Sequence, residues 1–205
     1  REHWGPSSDL VGMGRRGWGA GEMHSWEKGP FSDPLTAEET EQIIHNWLED
    51  LEQEALFLGE VMVFDNHSYA QIIETNTGIG AMEILVDPST REVYPEHGPN
   101  MMWNQKYSPM GSMHGGNWPE ADDIDQGDAE NMPISLAEAV SAAQDYLDEY
   151  YSGKEADDHG KIFYGYFTLH VEEDGEVVGM LSVNGYSGQV FYHTWHGELL
   201  EMSGH

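Results

Sequence analysis

The 205 residues include no cysteine, and that absence removes disulfide staples, thiolate zinc sites, iron–sulfur clusters, c-type haem attachment and cysteine nucleophiles. Positive charge is scarce: 8 Lys and Arg stand against 38 Asp and Glu, a formal net charge of −30. Phosphate backbones and anionic lipid headgroups repel such a chain, which excludes nucleic acid as a partner. The acidic excess suits metal cations or basic proteins instead, or else a solvated shell for a high-salt habitat. No apolar run approaches the roughly 18 residues that span a bilayer, so no membrane span is expected. Also missing are G-x-S-x-G, H-E-x-x-H and a phosphate-cradling Gly-rich loop ahead of a helix. Paired carboxylates are too common in this composition to mark an acid–base pair, and the chain reads as a non-enzyme.

What the chain does have is aromatic: 7 Trp, 10 Tyr and 6 Phe within 39% hydrophobic residues, enough for a modest core. Four blocks follow from composition. Residues 1–34 form an irregular N-terminal arm rich in Gly, Trp, His and Met, without helical or strand period. Residues 35–95 read as a helix followed by strands, and 96–133 as an irregular Met/His/Gly segment that turns into an acidic linker. Residues 134–205 repeat the helix-then-strands order. The first helix starts at Thr36 with Glu39 completing a capping box, and its stripe runs through Ile44, Trp47, Leu48, Leu51, Ala55 and Leu58. The second starts at Ser135 with Glu138, and its stripe is Leu136, Ala139, Val140, Ala143, Leu147, Tyr150 and Tyr151. Strand-like alternation follows each helix, punctuated at Asp87-Pro88-Ser89-Thr90, Asp174-Gly175 and 184–188.

The blocks echo one another. VDPSTREVYPEHG (86–98) aligns with VNGYSGQVFYHTWHG (183–197), and Met23-His24 before the first helix echoes Met113-His114 before the second. The expected architecture is α+β: two units, each an amphipathic helix packed on a short antiparallel sheet. The second unit, with its Ser-Leu-Ala-Glu-Ala-Val helix, the hairpin at Glu173-Asp174-Gly175 and the ending Val183–Val190, resembles the PepSY domain family. The family's last hairpin reads V-D-x-x-T-G-x-V. The second unit keeps Ser187-Gly188 there, while the first keeps Val86-Asp87-Pro88 and Thr90 but has Arg91 in place of the glycine. The resemblance implies the fold, a secreted or membrane-anchored setting, and a protease-binding or inhibitory role proposed for protease propeptides. It brings no catalytic residues.

Metal chemistry has several candidates. With Arg1 as a free terminus, His3 in third position would complete a square-planar nitrogen site for Cu(II) or Ni(II). Met23, His24, Met110, Met113 and His114 lie in Gly-rich stretches as a thioether–imidazole set suited to copper, the alternative being that they fill gaps in packing. His193 and His196 can chelate together only if the strand carrying them ends near Thr194, because strand side chains alternate. His45 and His170 read as structural or surface residues, and His67 as part of a turn. Asp122–Asp128 invites calcium, although the EF-hand register fails, since the position-12 residue would be Ile134. The reading at this stage is an exported copper-binding protein, extracellular or periplasmic, whose opening Arg1 suggests a removed leader. A compatible alternative is self-association into a homopolymeric filament, the N-terminal arm adding a strand to its neighbour.

Overall fold

The computed structural model describes residues 33–51, 54–108 and 124–204. Two long helices begin where the capping boxes place them. Helix α1 (Ala37–Asp50) has the Thr36 hydroxyl accepting the Glu39 N–H, and the Glu39 carboxylate accepting the Thr36 N–H, both at 3.1 Å. Between them come strands β1 (Leu56–Phe64), β2 (Ser68–Glu74), β3 (Gly80–Val86) and β4 (Val93–Pro95), then the short helices α2 (Pro99–Met102) and α3 (Gln126–Glu130). Helix α4 (Leu136–Tyr150) repeats the cap through Ser135 and Glu138. Strands β5 (Glu155–Ala156), β6 (Lys161–Phe163), β7 (Tyr166–Glu173), β8 (Glu176–Asn184), β9 (Val190–Tyr192) and β10 (Leu199–Ser203) close the chain.

Two expectations are corrected. The stripe of α1 does not continue through Ala55 and Leu58: the helix ends at Asp50, and Leu58 lies in β1. Its last turn holds Glu49 and Asp50 and no basic residue, so acidic charge meets the negative end of the helix dipole. Nor are there two short antiparallel sheets. One mixed ten-stranded sheet runs β10-β1-β2-β3-β6-β7-β8-β9, with β4 on β3 and β5 on β7. Among the described residues its one parallel junction joins Gly80 of β3 to Phe163 of β6, where a Cβ on Gly80 would lie 2.4 Å from the Phe163 ring. Strand β10 returns to pair with β1, so the last strand of the chain belongs to the sheet edge beside the first.

Alternation along the strands sorts apolar side chains between the helix-covered faces and a central core. Val61, Val63, Ala70, Ile72, Ile84 and Val86 pack under Ile44 and Leu48 of α1. Phe167, Leu169, Val171, Leu181 and Val183 pack under Ala139, Ala143 and Leu147 of α4. The small alanines let that helix sit close to the sheet. Tyr150, expected on the buried stripe, is 61% exposed and rests against Tyr146, while Tyr151 stacks on Tyr192. The faces without helices meet each other: Met62, Phe64, Tyr69 and Leu85 of the first half pack against Met180 of the second. The sheet is therefore folded over a central core, with a helix on each outer side.

Strand register recurs along the chain. Leu85 pairs with Tyr94 and Val86 with Val93; 97 residues on, Ser182 pairs with Phe191 and Val183 with Val190. Three turns also share one hydrogen-bond pattern. In Glu74–Gly78, Asp87–Arg91 and Asn184–Gly188 the fifth N–H donates to the first carbonyl, at 2.9, 2.8 and 2.9 Å. The hydroxyls of Thr77, Thr90 and Ser187 each accept the N–H two residues on. The fifth residue is left-handed in each, with φ of 73°, 60° and 70° for Gly78, Arg91 and Gly188. Arg91 thus carries strain that glycine avoids. Its ion pair with Glu39 is exposed and offsets little of that strain. In urea denaturation, Arg91→Gly is expected to gain about 1 kcal/mol and Gly188→Ala to lose about as much. A loss on Arg91→Gly would show that the ion pair outweighs the backbone strain.

Candidate metal centre

Strand β9 ends at Tyr192, so His193 and His196 sit on a loop and their rings are free of strand alternation. That loop is clamped from the β1–β2 turn. The Asn66 amide donates to the Trp195 carbonyl at 2.9 Å and accepts the Gly197 N–H at 3.0 Å. Glycine at 197 leaves room for this approach, since a Cβ there would fall 1.8 Å from Asp65 Oδ1 and displace that side chain. Opposite lies Glu96, the residue after β4, with its N–H held by the Glu83 carbonyl. His193 occupies the matching place after β9, its N–H held by the Met180 carbonyl.

The three side chains converge. Glu96 Oε1 lies 3.4 Å from His193 Nδ1 and 3.1 Å from His196 Nε2, and these donor atoms all fall within 4.8 Å of one another. Their side chains are 0%, 0% and 2% exposed. Glu96 Oε2, His193 Nδ1 and His196 Nε2 are buried without a hydrogen bond. Each imidazole spends its other nitrogen on an orienting partner: His193 Nε2 on Ser182 Oγ at 3.0 Å, and His196 Nδ1 on His67 Nε2 at 2.7 Å. Trp195 stacks on His193 and Phe64 on His196, which fixes both ring planes. The Trp195 indole N–H donates to Glu96 Oε1 at 3.1 Å.

Burial and mutual charge set the protonation. Burial disfavours the Glu96 charge, yet the neighbouring His193 and His196 hold its carboxyl well below the usual range. Burial likewise opposes charge on His193, but Glu96 raises it above the ordinary imidazole value. Burial lowers His196, and burial with the adjacent His196 takes His67 down to about 3. Beside the triad, burial and the charge of Glu96 push Glu83 up to about 7. Glu83 accepts from Tyr69, Tyr166 and Thr168 at 2.7, 2.7 and 2.8 Å. Thr168 continues through Ser182 to His193, so one hydrogen-bonded chain links Glu83 to the triad.

Of the residues marked in the sequence, His193 and His196 are brought together. His3, Met23, His24, Met110, Met113 and His114 lie outside the described residues, as do Asp122 and Asp123. Asp125 and Asp128 form the capping box of α3, where their carboxylates bind backbone N–H groups. His45 is exposed on α1. His170 is held by Glu60 at 2.9 Å and faces Asp157 at 3.6 Å. Sequence reasoning passed over Glu96 and Glu83, and read His67 as a turn residue, where the structure places it, with no role at a site. Glu96 could have been found, because the alignment of 86–98 with 183–197 puts it 97 residues before His193.

Fold and cluster together define an α+β protein with a sealed His/carboxylate centre between the two halves of its sheet. No family model matches the chain, and no curated protein matches it. Among solved structures it is similar to the "Bacillus megaterium YpeB C-terminal domain", at 10% sequence identity and a TM-score of 0.26. The likeness covers 77% of this chain and 62% of that one, so the chain spans less than two thirds of that structure's length. No helix among the described residues is long and apolar enough to cross a membrane.

Proposed function

We propose that this is an exported, non-enzymatic protein that holds one divalent transition-metal ion through Glu96, His193 and His196. The observation that carries the reading is the convergence of the buried Glu96 carboxylate with His193 Nδ1 and His196 Nε2, where both ring nitrogens and the second carboxylate oxygen, Oε2, have no hydrogen bond. A buried polar atom left unmade costs free energy, and an ion bound by all three removes that cost. Ligands about 2.1 Å from a tetrahedral ion stand about 3.4 Å apart, which suits the separations from Glu96 to each imidazole. Imidazole nitrogens oriented by a second hydrogen bond are the usual arrangement of metal-bound histidines. Two nitrogens and a carboxylate suit borderline divalent ions, and copper(II) binds such a set tightest in the first row. The near-total burial favours holding over catalysis, because substrate would have no access to the ion.

The chain is read as two PepSY-like copies meeting at this centre. Support comes from the strand pairings that recur at 97 residues, the matching turns, and the equal places of Glu96 and His193 after β4 and β9. The decisive experiment is elemental analysis of the full chain isolated without chelators or a nickel column. Near-stoichiometric metal is expected, and it should be lost from His193→Ala/His196→Ala but kept in His159→Ala, whose Asp157–Asp158–His159 group is a second candidate cluster among the described residues. Equal metal content in the double variant would overturn the assignment.

A further inference from the structure

We infer that the ion at Glu96, His193 and His196 is a staple between the two halves of the chain, released only when their junction opens. This rests on the metal reading above and adds what the ion does. Its ligands come from opposite halves. Glu96 is tied to β3 through the Glu83 carbonyl, and His193 to β8 through the Met180 carbonyl. The partner that orients His196 is His67, 129 residues away on the β1–β2 turn. An ion in this position therefore ties the residue after β4 to the loop after β9 and, through His67, to the β1–β2 turn.

The way out is closed as well. The donor side chains are at most 2% exposed, and Phe64 and Trp195 cover the two imidazoles. A cavity of 290 Å³ lined by Glu60, Lys161, Thr168 and His170 contains none of the three ligands. Exposing the ion requires lifting the 193–197 loop from the β1–β2 turn, and that movement must break both Asn66 contacts. The same loop leads into β10, which is paired with β1, so lifting it strains the sheet edge too. Release is then limited by a local opening of the native protein rather than by attack of a chelator on a bound ion.

The test uses the full chain loaded with one equivalent of zinc(II), with release followed by a chromogenic chelator varied over about a hundredfold range under native conditions. The expected rate does not change with chelator concentration, and it matches the opening rate of the Glu96 and His193 amides in hydrogen exchange. Asn66→Ala, which removes the clamp and no ligand, is expected to speed release about tenfold at unchanged stoichiometry. A rate that climbs in proportion to chelator, or an Asn66→Ala rate equal to wild type, would overturn the staple while leaving the metal assignment intact. Failure to bind one equivalent would remove both.

Discussion

Glu83→Ala lowers stability by roughly 3–5 kcal/mol, a large loss for a single polar substitution. The carboxylate is fully buried, and three hydroxyls from three places converge on it: Tyr69 of β2, and Tyr166 and Thr168 of β7. Removing it takes the acceptor from Tyr69 and leaves Tyr166 only the longer bond to Asn100 and Thr168 only Ser182, all in a buried site where a lost hydrogen bond costs about 1–3 kcal/mol. It also opens a cavity where the two helix-free faces meet. Two controls separate these effects. Glu83→Gln keeps an oxygen for Tyr69 and Thr168, and its amide can donate to the Tyr166 hydroxyl, so a loss of about 1–2 kcal/mol is expected. Tyr166→Phe removes a single donor and should cost about 1 kcal/mol. Urea denaturation followed by tryptophan fluorescence reads all three. If Glu83→Ala costs no more than Tyr166→Phe, the network does not hold the halves together.

How far this could be foreseen depends on the range of each interaction. The starts of α1 and α4 were legible because a capping box spans three residues and needs nothing from the rest of the chain. The turns at 87–91 and 184–188 were legible for the same reason, and the structure gives Arg91 a left-handed conformation at the glycine position of the pattern. The end of α1 was misjudged because an apolar period continued past Asp50 into residues that form β1, and periodicity alone does not distinguish the two. The joining of the sheet was not legible at all. It hangs on one parallel contact, Gly80 to Phe163, and on the return of β10 to β1, both between residues far apart in the chain.

The centre was half legible. His193-Thr194-Trp195-His196 announced itself as a pair of imidazoles whose joint use depends on where the strand ends, and β9 ends in time. Glu96 was hidden because one glutamate among 38 acidic residues carries no signal of burial. His67 was hidden because its partner, His196, lies across the fold. Glu83 sits inside the run Ala-Met-Glu-Ile-Leu, which reads as a strand with one solvent-facing acid. The folding of the sheet on itself turns that face inward, so an acid that alternation assigns to water becomes the acceptor for three hydroxyls.

The same geometry makes the members of the triad unequal, and their substitutions should show it. The carboxylate of Glu96 has three neighbours in reach, His193, His196 and Trp195, and none of them is a lysine or arginine. In metal-free protein Glu96 and His193 each favour the other's charge, so His193→Ala leaves the buried carboxylate only His196 and Trp195 and should cost about 3–5 kcal/mol. Glu96→Gln strands nothing, because an imidazole relieved of its partner can shed its proton and stay hydrogen-bonded to Ser182 through Nε2. Its loss should be about 1–2 kcal/mol. Metal reverses the order of interest: at a free concentration 100 times Kd, one site adds about 2.7 kcal/mol to the wild type. Both variants, each missing a ligand, should gain far less. Urea midpoints measured with and without zinc(II) give the four comparisons. Equal costs for the two substitutions in metal-free protein would mean that a charge pair does not organise the centre, and equal gains from metal in wild type and variants would place the ion elsewhere.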